Sequence, residues 1–128
     1  MRPSTTAPPA SEITIVGPCA SGKSTLVEGL RRNGLAARQI AQEHSYVPSM
    51  WQILARPRVL VYLHASYAAC TARKNLNWTE REYQAQLDRL AHARQHCDIL
   101  VDTDGRSPEQ VLSSVLDGLG PFRTPGTV

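Results

Sequence analysis

The order of segments in the sequence predicts a small three-layer α/β fold, with a mainly parallel sheet of about four strands flanked by helices. Two observations carry this expectation. Short apolar runs alternate along the chain with segments of helical period, which implies parallel strands joined by crossover helices. The first of those runs, residues 12–16 (EITIV), leads straight into a glycine-rich loop that opens a helical segment, a strand–loop–helix unit.

The elements follow in order. Residues 23–32 place Leu26, Val27 and Leu30 on one helical face, and Asn33 with Gly34 supplies a left-handed stop. Residues 35–41 read as a second, weaker strand. Residues 47–56 (VPSMWQILAR) read as a short helix with Met50, Ile53 and Leu54 as its apolar stripe. Residues 59–64 (VLVYLH) form a continuous apolar run after Pro57, a buried strand. Two helices come next, over residues 67–74 and from Thr79, where Thr79 and Glu82 fit a capping box. Tyr83, Leu87, Leu90 and Arg94 share one face of the longer helix. Residues 99–101 form a fourth strand, opening into a polar turn at 102–106. A last helix starts at Ser107 and Pro108, with Gln110 completing a capping box and Val111, Leu112, Val115, Leu116 and Leu119 facing the core.

The chain has 128 residues, the size of one domain. Residues 1–11 and 121–128 are rich in proline and small polar residues and read as loose tails, leaving 12–120 as the domain. No uncharged apolar run is long enough to span a bilayer, and residues 1–11 lack the apolar stretch of a secretion signal. Three dispersed cysteines, Cys19, Cys70 and Cys97, form neither a disulfide framework nor a metal knuckle, which suits a reducing cytoplasm. Twelve arginines against two lysines give a net charge of +3, but the arginines are scattered and aromatics make up only 5%. That pattern argues against nucleic-acid binding and suits small phosphorylated ligands.

The loop is Gly17, Pro18, Cys19, Ala20, Ser21, Gly22, Lys23, Ser24 and Thr25, which satisfies GxxxxGK[ST]. Each position has a physical reason. Gly17 and Gly22 allow backbone angles and a close approach that a side chain would block. Successive N–H groups can then turn inward around phosphate oxygens, and the following helix adds unpaired donors and its positive dipole end. Lys23 offers a point charge to β- and γ-phosphates, and the Ser24 hydroxyl can ligate Mg²⁺. A lysine aimed at ligand is dispensable for folding.

On these residues the chain resembles the P-loop NTPases. The order of its elements is similar to that of the nucleoside and nucleoside-monophosphate kinases. Residues 61–73 (VYLHASYAACTAR) resemble the strand and helix leading into the mobile lid of those kinases, and the short charged segment 74–81 resembles a reduced lid. Residues 97–105 (CDILVDTDG) resemble their last strand and the turn near the base, which implies that Asp104 and Gly105 help bind the nucleotide. The resemblance implies ATP (or GTP) with Mg²⁺ and transfer of a phosphoryl group to a small-molecule acceptor, with Arg73 and Arg81 closing over the phosphates. Family members carry an acceptor-binding insertion and a further strand where this chain has only the 17 residues 42–58.

Glu43 follows the second strand, at the end of the sheet where ligands bind, and can serve as a general base or hold a magnesium-bound water. With Trp51 it resembles the glutamate and tryptophan of deoxynucleoside kinases, although Trp51 also reads as a core residue of its helix. His44 and Ser45 are further polar candidates. Asp102 has two readings. On a far edge strand it lines the base pocket; beside the first strand it meets Mg²⁺. Phosphoryl transfer is thus the leading expectation. The others are a slow NTPase or nucleotide-dependent switch acting on a protein partner, and a minimal binding module that borrows its acceptor site by forming a homodimer through residues 47–56.

Overall fold

The computed structural model describes residues 12–122. Four strands, β1 (Ile13–Val16), β2 (Ala37–Gln39), β3 (Val59–His64) and β4 (Ile99–Asp102), make one sheet in the order β2-β1-β3-β4. All the pairings are parallel: Ile13 sits opposite both Ala37 and Val59, and Val61 opposite Ile99. Parallel neighbours need crossovers. These are α1 (Lys23–Arg32), then α2 (Met50–Ala55), then α3 (Tyr67–Lys74) with α4 (Glu80–His96), while α5 (Pro108–Gly118) follows β4.

The strand pleat divides the core into two sides. Ile13, Ile15, Val59, Val61 and Leu63 pack with Leu26, Val27 and Leu30 of α1 and Val111 and Val115 of α5. Val16, Leu60 and Tyr62 turn the other way, onto Trp51 and Ala55 of α2 and Leu90 and Ala93 of α4. A sheet sealed on both faces explains why β3 is an unbroken apolar run. Burial of the Tyr62 phenol pushes its pKa up to about 12, against the opposing charge of Arg94.

The element ends depart from expectation in instructive ways. The second strand shrinks to Ala37–Gln39, because Gln42–His44 instead forms a turn of 3₁₀ helix. Helix α2 starts only at Met50, since Pro48 disfavours a helical Val47, and it stops at a left-handed Arg56 before Pro57. Its buried face is Trp51 and Ala55, not the stripe of Met50, Ile53 and Leu54; Ile53 is 61% exposed and Leu54 53%. In a helix of six residues a single large side chain sets the face, and the indole has the most area to bury. On α4 the buried residues are Tyr83, Gln86, Leu90 and Ala93, with Leu87 at the margin and Arg94 outside. The domain also runs past 120. Residues Gly120–Phe122 form a 3₁₀ turn that lays Phe122 against the core, so the expected C-terminal tail does not begin at 121. The expected tails 1–11 and 123–128 lie outside the described residues.

Candidate functional site

Because every strand is parallel, their carboxyl ends gather along one rim. The chain leaves β1 to one side for β2 and then returns to β1's other side for β3, so the order reverses between β1 and β3. Clefts at such reversals are where open α/β sheets bind ligands.

The glycine-rich loop occupies this cleft. A Cβ on Gly17 would fall on the carbonyl oxygen of Leu63 in β3 and lie 2.7 Å from the Ser21 hydroxyl, so only glycine lets the loop pass this close. Ser21 N–H donates to the Pro18 carbonyl at 3.1 Å, and Ala20 adopts a left-handed φ of 67°. Gly22, with φ 100°, caps α1 without any side-chain hydrogen bond. The N–H groups of Lys23, Ser24 and Thr25 therefore start the helix with no intrahelical acceptor, at the positive end of its dipole. The buried hydroxyl of Ser21 also lacks a hydrogen-bond partner. The arrangement is a set of uncommitted donors that suits an oxyanion.

Lys23 is not free in solvent. Its Nζ donates to the carbonyls of Gly17 and Pro18, at 2.9 and 3.1 Å, and to Glu43 Oε2 at 2.9 Å. Both partners of this ion pair are buried. The 3₁₀ turn brings Glu43 there, directly beyond β2. Glu43 Oε1 is buried with no hydrogen-bond partner. Ser24 is exposed at the start of α1, where its hydroxyl accepts from Gln39 Nε2 at 2.7 Å and keeps a second lone pair for a cation.

Cys19 is clamped from the far side. Its N–H donates to Gln86 Oε1 at 3.0 Å, and its sulfur receives Gln86 Nε2 at 3.3 Å. His44 Nε2 lies 3.5 Å from the same sulfur. Ser45 instead closes a local turn with Val47, and Trp51 is core, its indole N–H donating to His92. The indole is therefore not at the surface of residues 47–56, whereas Ile53 and Leu54 of that segment are.

Arg73 reaches the loop. One guanidinium nitrogen donates to the Ala20 carbonyl at 3.2 Å and to Thr103 Oγ1 at 2.9 Å, the other to the Thr103 carbonyl at 2.8 Å. Arg81 lies exposed near the start of α4 and makes no hydrogen bond or ion pair among the described residues. Between the loop, α3 and the β4–α5 turn lies a cavity of about 360 Å³, lined by Thr25, Arg73, Lys74, Thr103 and Arg106 among others. Asp104 and Gly105 belong to that turn but do not line the cavity. The Asp104 carboxylate turns away to accept from Ser66 N–H at 2.9 Å. Partial burial would raise its pKa, but the Ser66 hydrogen bonds, His64 and Arg73 outweigh that and hold it below the ordinary value. Asp102 ends an edge strand that pairs with β3, so the alternative that places it beside β1 does not hold.

Four contributors escaped sequence reasoning: Gln39, Gln86, Thr103 and Arg106. Only Gln86 left a signal, as a polar residue set among Tyr83, Leu87 and Leu90 on the inward face of α4. No protein-family model matches the sequence, and no curated protein is significantly similar to it.

Proposed function

We propose that the protein is a P-loop domain that binds a nucleoside triphosphate with Mg²⁺ and transfers the γ-phosphoryl group to a small acceptor. One observation carries the reading: the uncapped start of α1 behind a loop held open by Gly17 and Gly22, with Lys23 at its floor. Phosphate oxygens take the uncommitted N–H groups at the start of the first helix, and their charge draws Lys23 away from Glu43. The Ser24 hydroxyl suits Mg²⁺, which when bound neutralises phosphate charge. The base and sugar fit the cavity beside Thr25, where Arg73, Lys74 and Arg106 supply positive charge. Arg73 can move from Thr103 to the transferring group. Glu43, released by Lys23, stands ready to accept the proton of an acceptor hydroxyl as oxygen attacks phosphorus and the diphosphate leaves.

A second reading, hydrolysis or a nucleotide-dependent switch acting on a protein partner, is favoured by the connection from β2 to β3. There Gln42, Glu43 and Trp51 are buried while Tyr46, Val47, Ile53 and Leu54 are exposed, an apolar surface better suited to a protein than to a polar small acceptor. Incubation with γ-labelled ATP, Mg²⁺ and a panel of nucleosides and nucleotides separates the two. A labelled small-molecule product is expected. Free phosphate alone would select the second reading, and absence of nucleotide binding would overturn both.

A further inference from the structure

Beside the loop, three donor groups of different chemistry converge: the Cys19 thiol, a Glu43 carboxylate oxygen and the His44 imidazole, all within 4.8 Å of one another. We propose that they bind a thiophilic divalent cation of the zinc class, with a fourth coordination position open to solvent at His44. The spacing is already that of a ligand set. A tetrahedral zinc centre, with bonds of about 2.3 Å to sulfur and about 2.0 Å to nitrogen or oxygen, holds thiolate and imidazole donors about 3.5 Å apart and imidazole and carboxylate donors about 3.3 Å apart. Here Cys19 Sγ lies 3.5 Å from His44 Nε2, and that nitrogen lies 3.8 Å from Glu43 Oε2, the oxygen that also accepts from Lys23, so binding must draw imidazole and carboxylate together by about 0.5 Å.

Independent support comes from Glu43. Its residue is only 3% exposed, and Oε1 has no hydrogen-bond donor although Lys23 has already taken up Oε2. A buried carboxylate oxygen without a partner is costly, and a carboxylate has capacity for a second cation. The donor set selects the metal. Thiolate and imidazole favour Zn²⁺ and its neighbours over Mg²⁺ or Ca²⁺, which want oxygen alone. Gln86 completes the outer shell, its Nε2 donating to the sulfur while its Oε1 fixes the backbone of Cys19. On binding, bonds from sulfur, nitrogen and carboxylate oxygen replace metal-bound waters, and the thiol proton passes to solvent. This site is separate from the magnesium position at Ser24 but shares Glu43 with the proposed phosphoryl transfer, so a bound metal competes with the role of Glu43 as a base.

Titrating the metal-free full chain with Co²⁺ tests the site, since Co²⁺ bound to a thiolate shows charge-transfer absorption that imidazole and carboxylate cannot produce. The band is expected to saturate at a single metal per chain and to disappear when Zn²⁺ displaces the cobalt. His44→Ala alters an exposed side chain, leaves the fold intact, and should weaken binding by at least about tenfold, as losing even an outer-shell partner does. Cys19→Ser should remove the band. In the unsubstituted chain Zn²⁺ should also protect Cys19 from alkylation, read by mass spectrometry, so the test does not depend on that variant's folding. Absence of the band, its survival in Cys19→Ser, an unchanged affinity in His44→Ala, or unprotected Cys19 would each overturn the proposal.

Discussion

The ion pair between Lys23 and Glu43 links folding to ligand binding at the scale of single residues. The glycine spacing made the loop legible in the sequence, and so did the presence of an acid after the second strand. What spacing could not show is that the two side chains meet, because the contact depends on how a 3₁₀ turn packs under the loop. The consequence corrects the expectation that Lys23 is dispensable for folding: it is buried and holds two loop carbonyls. Lys23→Met leaves Glu43 buried without its counter-ion, a loss of about 3–5 kcal/mol. Adding Glu43→Leu removes the stranded charge and should restore most of that stability while nucleotide binding stays lost, as urea midpoints and ATP titration would show. Equal stability of wild type and Lys23→Met would mean that the pair is not formed. Glu43→Gln separates the roles differently. It removes the carboxylate that competes with phosphate for Lys23, so ATP affinity should rise. Turnover on a hydroxyl acceptor should fall by about 10²–10⁴-fold. Unchanged turnover would reduce Glu43 to a holder of Lys23.

At the scale of elements, local chemistry was read most reliably where a cap fixes it. Thr79 and Glu82 form a reciprocal capping box at α4, and Ser107 and Gln110 form another at α5 behind Pro108. Both were visible because a cap is a matter of neighbours in sequence. The buried face of α2 is not legible in the sequence, because a stretch this short has no period to average and tertiary packing of Trp51 chooses the face. The α5 cap matters beyond its own turn. That helix seals the sheet face with Val111 and Val115 and sets one wall of the cavity through Pro108 and Val111. Ser107→Ala should cost about 1 kcal/mol. A lowered urea midpoint with an unchanged slope would show that the loss is one of stability alone.

For the molecule as a whole, the parallel α/β class followed from the alternation of elements, whereas strand order did not. Only the packed sheet places β3 against β1 and sends β4 to the edge, which decides the position of Asp102. That centre strand carries a prediction about the entire fold. Tyr62 lies in the middle of β3, and Cys70 packs just beyond the strand's end against Ala65 and Tyr83. Burial holds their folded pKa values at about 12 and about 11, in the presence of Arg94 beside Tyr62 and Arg73 near Cys70, both of which pull downward. The ordinary values are 10.0 and 9.0, so in the unfolded chain both groups lose their protons first. Near neutral pH both are protonated in either state and contribute no pH dependence, and the unfolded Cys70 begins to lose its proton as pH approaches 9.0. As pH rises the unfolded state sheds protons that the folded state keeps, so stability falls, first through Cys70 and Cys97 and then through Tyr62 and Tyr83, all raised by burial. Urea midpoints should therefore hold level near neutral pH, begin to fall as pH approaches 9.0 and decline more steeply beyond it. Tyr62→Phe keeps the ring in the core but has no proton to lose, so it should lessen the decline above pH 10.0, where Tyr83 still contributes, and leave the part nearer 9.0 in place. A midpoint that held level to pH 11, or an alkaline slope identical in Tyr62→Phe, would show that these groups are not sealed beneath α3 and α4 as the packing requires.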